Sequence, residues 1–145
     1  MDALPFFFYG TLMDAGVRRA VLGGKAPKRL EPGVLLGWRR FLAVGASFPI
    51  VAADGRGRVR GVLAHDVSDA ARALLDAYEG PDGYRAERWI VEREDGGRLK
   101  AMVYVPDGSG SVRASKAPWD LVEWQATHKT AFLAKLKKAK TAPRE

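Results

Sequence analysis

Glu79 is the side chain whose place in the sequence most suggests proton-transfer chemistry. A helix is predicted over residues 69–78, with Ser68 as its N-cap, because apolar side chains recur there at helical spacing. Gly80-Pro81 ends that helix, since proline cannot continue it, so Glu79 lies at the helix C-terminus. A negative charge is unfavourable at that end of the helix dipole. The placement hints at acid or base catalysis, although a solvated carboxylate at a helix end would need no function.

The loop Tyr9-Gly10-Thr11-Leu12 is a second candidate for chemistry. Residues 5–9 form an apolar and aromatic run, predicted to be a buried strand, that stops at Gly10. Backbone N–H groups in a tight loop after a strand can bind a negatively charged oxygen, and glycine permits the sharp turn and close approach. Without further context, the same four residues are an ordinary strand end and turn.

Several kinds of chemistry are excluded by the residue types that the chain lacks. It has no cysteine, which excludes disulfides, thiolate zinc sites and cysteine nucleophiles. His65 and His128 lie far apart and lack the spacing of metal ligands on one helical face, and no Ser-His triad is recognisable. We therefore expect no metal site, and the lack of cysteine suits a reducing cytoplasm, where we expect the protein to be located.

Charge and hydropathy bear on possible partners. Residues 129–145 carry six Lys or Arg and one Glu, a net charge of +5 within the total of +7. A short lysine-rich run is typical of a solvated helix face, so we do not expect a nucleic-acid partner. Weak RNA binding through this run is the alternative. No apolar stretch approaches the roughly 18 residues of a membrane helix, so no membrane partner is expected.

The remaining patterns predict an α+β fold. A terminal amphipathic helix is predicted over residues 119–140, followed by a basic tail at 141–145, within one domain of residues 1–145. Turn signals and apolar runs predict further strands at 33–44, 49–53, 58–66, 84–93 and 99–105. The first of these has a kink at Gly37, and a turn at 54–57 precedes the strand at 58–66. Since helices and strands show no regular alternation, the sheet is expected to be mostly antiparallel and able to close into a small barrel.

Three ordered segments resemble the γ-glutamylcyclotransferase-like superfamily. They are Phe6-Phe7-Phe8-Tyr9-Gly10-Thr11-Leu12, Leu75-Asp76-Ala77-Tyr78-Glu79-Gly80 and Tyr84-Arg85, and Tyr104 on the next strand also resembles a tyrosine of the family. The terminal segment Trp119-Asp120-Leu121-Val122-Glu123-Trp124, with the later His128 and Phe132, is similar to the avirulence-induced plant proteins of this superfamily. The chain thus resembles most the branch of avirulence-induced proteins and γ-glutamylamine cyclotransferases.

The resemblance implies both a site and a reaction. It implies a small β-barrel flanked by helices, with the loop of residues 9–12 at a cavity that Glu79 faces. It also implies that a γ-glutamyl group is cyclised to 5-oxoproline with release of an amine or amino acid, without a cofactor. Glu79 would act as general base and then acid, the loop would cradle the γ-glutamyl substrate, and Tyr84 and Tyr104 would be its hydroxyl partners. The alternative is a non-catalytic module that binds a small metabolite or a partner on the same fold; oligomeric state and the released amine stay open.

Overall fold

The computed structural model describes residues 4–141, and within them five strands close into a barrel flanked by four α-helices. The strands are β1 (Phe6–Phe8), β2 (Leu30–Leu42), β3 (Pro49–Ala64), β4 (Tyr84–Arg93) and β5 (Arg98–Pro106). The helices are α1 (Ala15–Leu22), α2 (Asp69–Glu79), α3 (Leu121–Thr127) and α4 (Lys129–Thr141), with 3-10 turns at Thr11–Met13, Gly23–Lys25 and Gly80–Asp82. No helix within residues 4–141 is both long and apolar enough to span a membrane.

The barrel is mixed but mostly antiparallel, which confirms the predicted fold class. Its strand order is β1-β3-β2-β4-β5, and β1 closes it by pairing in parallel with β5. Successive side chains of a strand point to opposite faces. Phe7 therefore lies in the cluster that fills the barrel, while Phe6 and Phe8 lie in the cluster between the barrel and the helices. Both faces of β1 are covered, which explains why a continuous apolar run is needed there.

Strand β3 differs from the prediction of two strands separated by a turn. Residues 54–57 leave the regular ladder, but the chain does not reverse there, because Ala53 and Arg58 both stay paired with β2. The four residues lie opposite Gly37, whose φ of +86° suits glycine. The turn signal in the sequence thus marks a bulge inside one long strand.

The C-terminal region also differs from the single helix predicted over residues 119–140. The helical segment begins at Leu121, with the Asp120 side chain as N-cap, and is interrupted at His128, where the backbone leaves helical geometry. Residues eight positions apart are about 12 Å apart along a straight helix. The ring centroids of Trp124 and Phe132 are only 5.3 Å apart, so the bend brings these two aromatic side chains together. Of the basic tail predicted at 141–145, Thr141 is the last residue of α4, and residues 142–145 lie outside the described residues.

Asp14 ties the start of α1 to the C-terminal helices. Its Oδ1 accepts a hydrogen bond from the Val17 N–H at 3.0 Å, which caps α1. Its Oδ2 accepts from Gln125 Nε2 at 2.8 Å and lies 2.9 Å from Lys129 Nζ. Burial opposes ionisation of this carboxyl, but the hydrogen bonds from Lys129, Gln125 and Val17 together lower its pKa. The sequence patterns did not predict this contact.

Replacing Asp14 with alanine is expected to lower the free energy of unfolding by about 2–3 kcal/mol, because the cap and both helix contacts are lost from a buried position. Asp120 offers a matched control, since it also caps a helix through its side chain but is exposed. Asp120→Ala should lower it by only about 1 kcal/mol. Urea unfolding of both variants measures the difference, and equal losses would mean that Asp14 is only a cap.

Candidate functional site

A cavity of about 190 Å³ lies where the loop after β1 meets the start of β3, the end of α2 and the first residues of β4. The structure brings every sequence-predicted site residue to this cavity. They are Tyr9, Gly10, Thr11, Leu12, Glu79, Tyr84 and Tyr104. Tyr9, Tyr84 and Tyr104 are each at most 6% exposed and form the inner wall of the cavity. Glu79 as a whole residue is half-buried, but its carboxyl is buried in the cavity.

The loop of residues 9–12 forms a tight turn directly after β1. The Met13 N–H donates to the Gly10 carbonyl at 2.9 Å, and the Asp14 N–H donates to the Thr11 carbonyl at 3.0 Å. The first N–H groups of such a helical turn have no acceptor within the turn. Glycine is required at position 10, because a Cβ there would lie 2.8 Å from Pro49 Cγ. The loop can therefore pack closely on the start of β3 while its leading amides are free of the turn's own hydrogen bonds.

Two arginines hold the loop through its carbonyl groups. Arg40 Nη1 donates to the Tyr9 carbonyl at 2.8 Å. Arg18 Nη1 donates to the carbonyls of Leu12 and Met13, at 2.9 Å and 2.7 Å. These contacts fix the peptide planes and therefore the direction of the amides, which is the kind of support that a preorganised binding loop requires.

Glu79 reaches the cavity because it continues the buried face of α2. Ala71 and Leu75 are fully buried, and positions four apart share one face of a helix, so Glu79 lies on the same face. Burial, together with the nearby Asp82 carboxyl, raises the pKa of Glu79 from 4.5 to about 8. Among the described side chains, which end at residue 138, no cation or hydrogen-bond donor offsets this shift. The carboxyl can thus hold or release a proton near neutral pH, as a general acid and base requires.

The tyrosine hydroxyls of the inner wall all donate to protein acceptors. Tyr9 Oη donates to the Tyr104 carbonyl at 2.5 Å, Tyr84 Oη donates to the Pro49 carbonyl at 2.6 Å, and Tyr104 Oη donates to Asp76 Oδ1 at 2.6 Å. A hydroxyl that donates its proton can still accept a hydrogen bond. Burial also raises the pKa of all three phenols above their ordinary value. These groups can therefore accept from a ligand N–H but are poorly suited to donate to it.

Several residues of the cavity were missed by the sequence analysis. The side chains involved are Phe48, Pro49, Tyr78, Asp82 and Phe132. Tyr78 Oη lies 2.8 Å from Thr11 Oγ1, and its ring meets the Phe132 ring edge-on with centroids 6.4 Å apart. Asp82 could have been suspected from its place in the turn after Glu79. Phe132 could not, because it lies on α4, more than fifty positions away along the chain.

A larger depression of about 410 Å³ lies on the surface formed by β2, β3 and β4. Three of the charged side chains that line it form ion pairs, Arg58 with Glu92 at 3.0 Å and Arg93 with Glu31 at 2.9 Å. The smaller cavity is the better candidate site, because it encloses a carboxyl with a strongly raised pKa beside a preorganised loop.

Known proteins share both the sequence pattern and the fold. The chain is 28% identical over 132 residues to Protein AIG2 C of Arabidopsis thaliana, covering 91% of this chain and 78% of that one. The solution structure of another Arabidopsis thaliana protein superposes with a TM-score of 0.67 at 25% identity, covering 97% of this chain and 85% of that one. A structure named gamma-glutamyl cyclotransferase superposes with a TM-score of 0.63 at 14% identity over 98% of this chain and 89% of its own, which shows a shared fold.

A family model covers most of the chain. Residues 6–126 match the model described as gamma-glutamyl cyclotransferase, AIG2-like. The matched range contains the loop of residues 9–12, Glu79 and both strand tyrosines, whereas Phe132 lies beyond it. The chain therefore belongs to the AIG2-like gamma-glutamyl cyclotransferase family, as the sequence motifs predicted.

Proposed function

We propose that this protein cyclises a γ-glutamyl group to 5-oxoproline and releases the attached amine or amino acid. The observation that carries the proposal is that one small cavity holds both the Glu79 carboxyl and the loop of residues 9–12. Membership of the family supports the same reaction class.

The reaction does not need a nucleophile from the protein. The α-amine of the γ-glutamyl group attacks its own γ-carbonyl carbon, which closes a five-membered ring. Because the nucleophile is tethered, the site must mainly fold the substrate and hold it in that geometry. A small cavity with an aromatic wall suits this task, since it restricts the conformations of the bound chain.

Glu79 would carry the proton from one nitrogen to the other. The α-amine binds as an ammonium and gives a proton to the Glu79 carboxylate, and the free amine then adds to the γ-carbonyl. Addition leaves a second excess proton on the ring nitrogen. The carbon–nitrogen bond to the leaving group breaks as the protonated Glu79 gives its proton to the departing nitrogen, and the regenerated carboxylate then takes the excess proton of the ring nitrogen and passes it to the released amine, which leaves as an ammonium. The carboxyl ends as it began, so a single residue serves both steps. Its pKa of about 8 is suited to this exchange near neutral pH.

The remaining groups of the cavity would stabilise charge and orient the substrate. Addition to the γ-carbonyl creates an oxyanion, which the leading amides of the loop at residues 10–12 can bind. The Tyr84 and Tyr104 hydroxyls donate to protein acceptors, so they would accept from the substrate's nitrogen rather than donate to its oxygens. Both hydroxyl protons are already used in hydrogen bonds to the protein, so we assign Tyr84 and Tyr104 as acceptors and not as donors to the substrate.

The proposal is tested by identifying the products formed from a panel of γ-glutamyl amines, γ-glutamyl amino acids and glutathione. We expect 5-oxoproline and free amine in equal amounts from at least one member. Running the reaction in ¹⁸O-labelled water separates cyclisation from hydrolysis, because only hydrolysis places the label in glutamate. Labelled glutamate as the product, or binding of these compounds without any turnover, would contradict the proposal; the second result would favour a binding module.

A further inference from the structure

The hydroxyl groups around the cavity differ in whether they can donate a hydrogen bond to a ligand. Five of the side chains that line the cavity carry a hydroxyl group, namely Tyr9, Thr11, Tyr78, Tyr84 and Tyr104. The protons of the three inner-wall tyrosines are used in hydrogen bonds to a carbonyl or a carboxylate of the protein. A hydroxyl group has one proton, so these three cannot donate to a ligand while those hydrogen bonds are kept. Donation to a ligand is left to Thr11 and Tyr78.

Thr11 and Tyr78 share one hydrogen bond but have two protons between them. Thr11 Oγ1 lies 2.8 Å from Tyr78 Oη, and either oxygen can be the donor. Among the side chains of residues 4–138, neither hydroxyl group has another hydrogen-bond partner. Whichever hydroxyl donates to the other, the second one still has a proton to give. The pair therefore always offers one O–H group to a ligand in the cavity.

Tyr78 is the better donor of the pair. A phenol is more acidic than an aliphatic alcohol, so its O–H group makes the stronger hydrogen bond to a negatively charged oxygen. A hydrogen bond from Thr11 to Tyr78 Oη polarises the phenol further, because successive hydrogen bonds strengthen one another. Burial raises the pKa of Tyr78 above its ordinary value, and the Glu79 and Asp82 carboxylates add to this increase. The phenol thus keeps its proton at neutral pH and can donate it in a hydrogen bond.

The surrounding structure holds the Tyr78 hydroxyl beside the loop of residues 9–12. Tyr78 is half-buried on α2, directly before Glu79, and its ring packs edge-on against the Phe132 ring with centroids 6.4 Å apart. Its contact with Thr11 joins the hydroxyl to the loop whose leading amides would bind the oxyanion. None of the described residues that line the cavity is a lysine, arginine or histidine, so no cation there would stabilise this negative charge. A hydroxyl donor is therefore needed at this place.

On the basis of the proposed function, we propose that Tyr78 is a further catalytic residue, whose hydroxyl group donates a hydrogen bond to the oxyanion formed at the γ-carbonyl. Thr11 donates to Tyr78 Oη and thereby orients the phenol proton. The contact is a hydrogen bond and not a proton transfer, so the route of the protons through Glu79 is unchanged. The negative charge develops only as the amine adds, so the hydrogen bond is stronger in the transition state than in the bound substrate and acts mainly on kcat.

Tyr78→Phe tests this role, because it removes the hydroxyl group and keeps the ring that packs on Phe132. We expect kcat to fall by about 10²-fold with little change in KM. This is the lower end of the usual loss for one oxyanion donor, since the Thr11 hydroxyl, freed from Tyr78, can partly replace it. Thr11→Val is the matched comparison. It leaves the Tyr78 proton in place and should lower kcat less than Tyr78→Phe does. Circular dichroism and thermal unfolding check that both variants keep the fold.

A second measurement separates transition-state stabilisation from substrate binding. In a Glu79→Gln background, calorimetry gives the Kd of the panel member that the wild-type protein cyclises fastest, and adding Tyr78→Phe should change this Kd by less than about twofold. A kcat for Tyr78→Phe within about threefold of wild type, a larger loss in Thr11→Val, or a weaker Kd that accounts for the whole loss would each overturn the role of Tyr78 and leave the proposed function intact. Failure of the wild-type protein to form 5-oxoproline from any member of the panel would instead overturn the proposed function, and this inference with it.

Discussion

Glu79→Gln is expected to lower kcat/KM for 5-oxoproline formation by about 10²–10⁴-fold, the usual contribution of a positioned general acid and base. Glutamine keeps the size and shape of the side chain but cannot accept a proton from the substrate ammonium. It also cannot return one to the leaving amine, so both proton transfers are affected. The loss should appear in kcat, because the cavity wall and the loop of residues 9–12 are unchanged.

Glu79→Asp provides the matched control for this experiment. It keeps a carboxyl but shortens the side chain by one methylene, so the proton must travel further and an intermediate rate is expected. Circular dichroism of each variant checks that α2 and the barrel are retained. A Glu79→Gln rate within a few-fold of wild type would show that Glu79 is not the proton-transfer group.

Glu79→Gln is also expected to stabilise the protein at alkaline pH. In the unfolded chain the Glu79 carboxyl ionises near 4.5, whereas in the folded protein its pKa is about 8. Between these pH values the folded state holds a proton that the unfolded state has released, so the free energy of unfolding of wild type falls as pH rises. Above about 8 this loss is complete. Glutamine does not titrate and avoids it.

Glu79→Gln should therefore raise the free energy of unfolding by roughly 3–4 kcal/mol at pH 9 and by little at pH 4.5. Urea unfolding at several pH values measures the difference between the variant and wild type. Glu94→Gln, which replaces an exposed carboxylate, should show no such trend. If Glu79→Gln were destabilising at pH 9, the carboxyl would have favourable partners in the folded state, contrary to its isolation in the cavity.

Much of the fold follows from local patterns in the sequence. Residues 69–78 have a good N-cap in Ser68, a clear apolar stripe and a Gly-Pro stop, and α2 forms there with only one residue added. The run of Phe6, Phe7 and Phe8 required a strand covered on both faces, which is where β1 lies. These elements were predictable because neighbouring residues alone determine them.

The errors arose where distant parts of the chain decide the local structure. The turn signal at residues 54–57 is real, but pairing of its flanking residues with β2 converts it into a bulge. The break at His128 accompanies the contact between Trp124 and Phe132. Neither partner is recognisable from a short window of sequence, since the pairing depends on how the barrel and the helices meet.

In the candidate site too, features set by neighbouring residues could be predicted, and contacts with distant residues could not. Glu79 was singled out because its segment resembles the family motif, and the unfavourable charge at the helix end was only a hint. A further signal was present, since Glu79 continues the buried positions 71 and 75 of α2. The directions of the Tyr84 and Tyr104 hydroxyl protons depend on Pro49 and Asp76, which lie at least 28 positions away. Such contacts could not be inferred from motif order alone.

The proposed proton transfers require above all that burial raises the pKa of the Glu79 carboxyl, so that it can both accept and return a proton near neutral pH. Carbon-13 NMR titration of the glutamate carboxyl groups tests this claim directly, with Glu79→Gln identifying the resonance that disappears. We predict that this resonance titrates with a pKa of about 8 in the protein without substrate. A titration near 4.5 would contradict the account, because Glu79 would then be an ordinary solvated carboxylate with no special capacity to return a proton.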